Sequence, residues 1–243
     1  INNTISFSSA LQNKIIFQGG AGTGKTNLAI EISKTFASKG KVLLVCFNKG
    51  LKNYFKEQIT NNNFIDIKSI NELISDLNIK NFTEDEITNR LLEFNIFYDS
   101  VVIDEAQDFK IEWWNLIFNL IHNSNSNIYV FYDNNQKIYG KAEITPLLNN
   151  NFKKVFLSKN FRNSKNIHNF IKYFYEGTDY ISNEIAGEKI FLKEINGKQN
   201  QIINEYLKKL IHENDIMPNQ ISILSGTSLS ENEKKLLQNR NNF

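Results

Sequence analysis

Residues 17–32 read FQGGAGTGKTNLAIEI: an apolar, strand-like opening, four glycines leading to a lysine and a threonine, then apolar residues at helical spacing. Gly19, Gly24, Lys25 and Thr26 match G-x-x-x-x-G-K-[ST], the phosphate-binding loop. The spacing has a physical reason. Glycines let the backbone curl so that successive N–H groups turn inward on a polyphosphate. The helix starting at the loop adds the positive end of its dipole. Lys25 then reaches the terminal phosphates, and the Thr26 hydroxyl ligates Mg²⁺. The expected nucleotide cradle is therefore Gly20, Ala21, Gly22, Thr23, Gly24, Lys25, Thr26 and Asn27.

A phosphate loop alone does not separate kinases, switches and motors. The run SVVIDEAQDF (100–109) ends an apolar strand on Asp104 and Glu105. One carboxylate can hold the Mg²⁺ while its neighbour, as general base, activates a water for in-line attack on the terminal phosphate. Carboxylates at the C-terminal end of a parallel strand lie where open α/β sheets bind ligands. A kinase that passes phosphate to a substrate hydroxyl has no role for Glu105, so hydrolysis is the favoured chemistry. The bland alternative is a solvated acidic turn.

Around these motifs, short β-branched runs alternate with helical ones. NKIIFQ (13–18), KVLLVCF (41–47), FIDIKSI (64–70), DSVVIDEA (99–106), NIYVFYD (127–133), KKVFLS (153–158) and ISILSG (221–226) read as strands. Residues 26–40, 112–123, 163–177 and 200–214 carry helical periodicity, and 78–97 reads as one or two helices packed at the sheet's edge. The alternation predicts an α/β fold with a parallel sheet covered on both faces. Trp113 and Trp114 read mainly as packing. The 243-residue chain is 41% hydrophobic with a net charge of +2, so any nucleic-acid surface is a local groove rather than a global field. A single cysteine, Cys46, sits in a strand and reads as inert core in a reducing cytoplasm. His122, His168 and His212 lack ligand spacing, so zinc is not expected. No apolar run nears the roughly 20 residues of a membrane span, so no membrane partner is expected.

With Asp104-Glu105-Ala106-Gln107-Asp108 in view, the chain resembles the superfamily 1 helicases of the UvrD/Rep/PcrA type. It is most similar to compact members found beside nuclease-related domains. LLVCFNKGL (43–51) resembles the family's motif Ia, a strand-to-loop that touches single-stranded nucleic acid. VFYDNNQKIYG (130–140) is similar to motif III and LSKNFRNSKNI (157–167) to motif IV, while DIMPNQISILSG (215–226) continues the likeness. The resemblance implies a RecA-like P-loop NTPase domain over 1–157, with a small insertion at about 51–97, and part of a second RecA-like domain over 158–243. It implies ATP and Mg²⁺ as cofactors. Single-stranded DNA or RNA is the implied partner, with a nuclease domain or a protein as a further one. Residue by residue, it makes Lys25, Thr26 and Asp104 ligands of phosphate and metal, with Glu105 the base. Gln136 senses the terminal phosphate, Arg162 acts as an arginine finger and Phe161 stacks on the base. Phe47, Asn48, Lys49 and Tyr139 become the nucleic-acid contacts.

Departures matter too. Asn27 stands where an arginine often flanks the base, and no glutamine lies far enough upstream of Lys25 to read adenine. Phe47 is offset by one residue from its counterpart, which on a strand turns a side chain to the other face; it is either a stacking platform or core. Phe161 is either a base contact or core. The chain opens on Ile1 and carries no segment like motifs V and VI, so it is expected to be a truncated motor that hydrolyses ATP weakly. A nucleotide-dependent protein-interaction module that moves no strand is the alternative.

Overall fold

β-Branched and apolar residues that fill a strand without polar interruption need cover on both faces, and that requirement organises the molecule. The computed structural model describes residues 14–121, 126–136, 144–148, 150–175, 180–194, 197 and 199–224. Within these, β1 (Lys14–Gly19), β2 (Val42–Cys46), β3 (Ile65–Ser69), β4 (Ser100–Asp104), β5 (Asn127–Tyr132) and β6 (Lys153–Leu157) form one sheet. Its order is β3-β2-β4-β5-β1-β6, and every pairing is parallel. Helices α1 (Lys25–Ala37), α2 (Lys49–Gln58), α3 (Ile70–Asp76), α4 (Glu84–Phe94), α5 (Trp113–Asn119), α6 (Thr145–Leu148), α7 (Lys165–Ile171) and α8 (Gln199–His212) complete the regular structure.

Strand residues divide by parity between two cores, as the two-residue period of a strand dictates. Ile16, Leu43, Val45, Val101, Ile103, Ile128 and Val130 face Leu73 of α3, Ile87 and Leu91 of α4, and Trp114 of α5. Ile15, Phe17, Leu44, Val102, Tyr129 and Phe131 face Ala29, Ile30 and Ile32 of α1 and Phe55 of α2. Phe17 and Phe131 stack across the β1–β5 pair at 4.7 Å between centroids. Side-chain caps start several helices. Asn48 accepts from the Leu51 N–H at α2, and Ser69 and Glu72 form a reciprocal capping box at α3.

The strand order sets the working distances. β5 lies between β1 and β4, so the phosphate loop after β1 and the carboxylates after β4 stand two strand spacings apart, about 10 Å. Both open at the C-terminal edge of the sheet.

Six expected strands form, each within a residue or two of its reading. The seventh does not: residues 221–224 carry no strand, and 225–226 lie outside the described residues. A strand exists by pairing, and the described part of its unit holds only α8 and a short turn at Pro218–Gln220. The helices expected over 78–97 resolve to α4, which packs on the sheet face that α5 also covers. The chain divides into two compact units, Ile1–Ile190 and Phe191–Phe243. Within the first unit Asn160, Phe161, Tyr175 and Tyr180 pack on the phosphate loop. Among the described residues no helix is long and apolar enough to cross a membrane.

Trp114 is fully buried, whereas Phe47 is 36% exposed. Trp114→Ala is expected to lower unfolding free energy by about 3–5 kcal/mol, and Phe47→Ala by no more than about 1 kcal/mol. Urea titration followed by tryptophan fluorescence reads both.

Candidate active site

The phosphate loop joins β1 to α1 through two glycines in left-handed backbone, Gly22 at φ 79° and Gly24 at φ 88°. At Gly22 a side chain is excluded twice over, because a Cβ would also lie 2.6 Å from Asn160 Oδ1. Lys25 curls back over the loop: its Nζ donates to Gly19 O at 2.9 Å and Gly20 O at 3.0 Å. It also pairs with Asp133 at 3.7 Å, with the lysine 6% and the aspartate 0% exposed. Thr23 ties the loop from within through its hydroxyl, which donates to Gly20 O at 2.8 Å. Thr26 is half-buried, and Asn27 is exposed at the loop's outer side.

Across β5 lies the carboxylate pair. Asp104 is completely buried, and burial pushes its carboxyl up to about 7. The Glu105 charge adds to the rise, while the Thr26 hydroxyl, the Glu105 N–H and the Lys25 ammonium oppose it. Its Oδ1 accepts the Glu105 N–H at 3.0 Å, and its Oδ2 is buried without a hydrogen-bond partner among the described residues. A buried carboxylate oxygen left over beside a threonine hydroxyl is a donor set that fits Mg²⁺, a hard cation held by one or two carboxylates and waters. Thr26 and Asp104 would hold it.

Glu105 sits at φ 55°, ψ 45°, a left-handed conformation costing about 1–2 kcal/mol in a non-glycine residue. Its carboxylate accepts from Gln107 Nε2 at 2.5 Å, and Gln107 Oε1 in turn accepts the Asp133 N–H at 3.1 Å. Gln107 is 2% exposed and bridges the end of β4 to the end of β5. Asp133, the residue after β5, shares its carboxylate between Lys25 and the Asn135 N–H; burial pushes it upward while Lys25 opposes.

The stretch after β6 closes on the loop. Asn160 is 4% exposed; its Nδ2 donates to Ala21 O at 2.9 Å, and its Oδ1 accepts the Arg162 and Asn163 N–H groups. The Phe161 N–H donates to Gly22 O at 2.8 Å. Phe161 itself is 63% exposed with Lys159 over its ring, so it is not core. Arg162 is exposed beside the loop. Gln136 is half-buried near the Tyr175 hydroxyl, which accepts the Ala21 N–H at 3.1 Å. Gly20 has no room for a side chain, since a Cβ would lie 2.9 Å from Tyr180 and 3.1 Å from Tyr175. His168 braces this cover through a hydrogen bond between its Nε2 and Tyr180 O at 3.0 Å.

The structure thus brings together Lys25, Thr26, Asp104, Glu105, Gln136 and Arg162. Phe47, Asn48 and Lys49 follow β2, whose last residue Cys46 is registered against Asp104 of β4. Phe47 stacks on Trp113 at 6.3 Å between centroids, Asn48 caps α2, and Lys49 is exposed. Tyr139 lies outside the described residues. Cys46 is buried at the end of β2, and burial pushes its thiol up to about 12, which makes it inert. Gln107, Asp133, Asn160 and Tyr175 received no role from the sequence. The first three stood inside quoted motifs, whereas Tyr175 had no local signal.

A carboxyl raised from its ordinary value to about 7 favours the fold below the unfolded value and loses that contribution as pH climbs through 7. In metal-free buffer Asp104→Asn is therefore expected to raise the melting temperature at pH 8 by about 5–10 °C. The gain shrinks toward pH 5, as a paired calorimetric scan at both pH values would show.

No curated protein sequence matches this chain. Among solved structures it is similar to the PRRSV helicase, at 9% identity and a TM-score of 0.44 over 70% of this chain and 35% of that one. Pif1 helicases solved at forked double-stranded DNA share 15% identity and a TM-score of 0.42, over 66% of this chain and 43% of that one. DnaA from Aquifex aeolicus, bound to AMPPCP, shares 17% identity and a TM-score of 0.36, over 67% of this chain and 45% of that one. The chain spans less than half the length of each. The AAA domain family (AAA_19) matches residues 3–142. With more than half of its 243 residues matched, and with a parallel six-stranded sheet carrying a phosphate loop, the chain is a P-loop NTPase-type α/β protein and belongs to the AAA domain family.

Proposed function

We propose that this chain is the nucleotide-binding segment of a superfamily 1 helicase or translocase, binding ATP–Mg²⁺ and coupling it to a single strand of DNA or RNA. One observation carries the reading. Segments read separately along the sequence converge on one loop: Lys25 from β1–α1, Asp104 and Glu105 from β4, Gln136 after β5, and Asn160 with Arg162 after β6. That is the constellation an in-line phosphoryl transfer to water needs.

In this reading Lys25 leaves the loop carbonyls for the terminal phosphates. Thr26 and Asp104 would hold Mg²⁺, which would supply neutralisation of phosphate charge. Glu105 holds the attacking water's proton, its carboxylate kept on line by Gln107. Arg162 stabilises charge on the transferred group. Hydrolysis by this chain is weak on this reading, with Lys25 and Arg162 as the cationic side chains brought to the loop. Phe47 and Lys49, at the C-terminal end of β2, offer the strand an aromatic face and a phosphate contact. Tyr139 belongs to the same proposed contact set.

The competing reading is a nucleotide-dependent module for a protein partner. It is favoured by Tyr173 and Phe174, 86% and 68% exposed just beyond α7, which a partner could cover.

A fluorescent single-stranded oligonucleotide titrated with and without a non-hydrolysable ATP analogue and Mg²⁺ separates the two. The motor reading expects strand affinity to change at least several-fold with nucleotide, and Lys25→Ala to abolish the change while weakening nucleotide binding about tenfold or more. Strand affinity indifferent to nucleotide overturns it in favour of the partner module. Strand-stimulated turnover that is vigorous in the wild type and lost in Glu105→Gln overturns the claim of weak hydrolysis.

A further inference from the structure

We propose that the Tyr175 hydroxyl is a further nucleotide-reading group, donating its hydrogen to the terminal phosphate and thereby setting a preference for triphosphate over diphosphate. The proposal rests on the nucleotide-binding reading above and assigns a role to a residue outside every motif.

A tyrosine hydroxyl has one hydrogen to donate and two lone pairs to accept with. At Tyr175 the oxygen accepts the Ala21 N–H at 3.1 Å, from the middle of the phosphate loop, and that amide orients it. The Gln136 side chain lies near enough to act on the hydroxyl. No hydrogen bond donated by the hydroxyl occurs among the described residues. The donor is also close to what it would serve. The ring lies against Gly20, where a Cβ would come within 3.1 Å of it, and the Arg162 charge is near enough to act on the hydroxyl. Burial holds the group above its ordinary value, so it keeps its hydrogen at neutral pH.

The ring is itself held. Tyr180 packs on it edge-to-face at 5.4 Å between centroids, and Tyr180 packs in turn on Phe156 of β6. Asn160 fixes the carbonyl of the same Ala21 whose N–H meets Tyr175. The two peptide planes that flank Ala21 are therefore each held, one at its carbonyl by Asn160 and the other at its N–H by Tyr175. A hydroxyl presented in this way is preorganised for an anionic oxygen. A diphosphate, lacking the terminal group, leaves that hydrogen unused.

The test is calorimetric titration of the intact chain with ATPγS and with ADP, each with Mg²⁺, for wild type, Tyr175→Phe, Gln136→Ala and the double variant. Tyr175→Phe keeps the ring and its packing. The expected result is an affinity for ATPγS lowered about five- to tenfold with ADP affinity unchanged. Tyr173→Phe, at an exposed position beside the site, is expected to change neither. Because Gln136 lies near the hydroxyl, the double variant should lose less than the product of the single losses. An equal fall for both nucleotides overturns the proposal and makes Tyr175 packing. No change overturns it as well. Tighter ATPγS binding by Tyr175→Phe overturns it in the opposite sense, with the hydroxyl competing for the Ala21 amide. A wild type that binds neither nucleotide refutes the nucleotide-binding reading itself, and this inference with it.

Discussion

A buried ammonium is the constraint on which the site depends. Lys25 is 6% exposed, and Asp104 and Asp133 on either side of the cleft are fully buried. Removing such charges from water costs several kcal/mol per ion unless each finds partners. The lysine finds two loop carbonyls and the Asp133 carboxylate. That partner is available only because β5 pairs directly with β1, which puts the residue after β5 beside the loop after β1. Were β4 the neighbour instead, Asp104 would serve as the counter-charge and would no longer keep an oxygen for a metal. Strand order, a property of the whole sheet, thus decides which carboxylate balances charge and which remains a ligand.

Strain at Glu105 is held by the same architecture. A left-handed glutamate persists only where its surroundings over-determine it. Here Ala106 and Phe109, 1% exposed each, anchor the turn in the core that Trp113 and Trp114 complete, with Phe109 edge-on to Trp113. Gln107 fixes the other end by tying the Glu105 carboxylate to the Asp133 N–H. The aromatic residues read as packing do serve packing, and through it they set the angle at which a carboxylate leaves the strand. Core and chemistry meet across two residues.

The sheet was legible because its central strands are continuous apolar runs and its edge strands β3 and β6 are short β-branched or apolar runs set between polar turns. ISILSG carried the same local signal and forms no strand over its described residues, because pairing is a property of neighbours that a local pattern does not contain. The site was legible where chemistry constrains spacing within one segment, as in Gly19 to Thr26 or Asp104 with Glu105. It was illegible where side chains far apart in sequence meet. Tyr175 reaches Ala21 across 154 positions and Asn160 reaches it across 139. Nothing in either segment announces the other. Gln107 and Asp133 fall between the cases: both stood in quoted motifs, but their partnership exists only because β4 and β5 are adjacent.

The loop's environment also bears on what a nucleotide could move. Residues 20–22 are held by Asn160, Phe161, Tyr175 and Tyr180, all from the segment that follows the edge strand β6. β6 is the most exposed strand of the sheet, joined to it only through β1. Whatever shifts the backbone at Ala21 is therefore felt first by that segment, since Ala21 offers its carbonyl to one of its side chains and its N–H to another. The central strands are locked by two cores and have little freedom to respond. A change of occupancy at the loop acts on the one neighbouring layer that is bound by a few hydrogen bonds rather than by a core. On the proposed reading that layer carries the arginine facing the transferred phosphate, so the group that stabilises the reaction is also the part of the fold best able to report it.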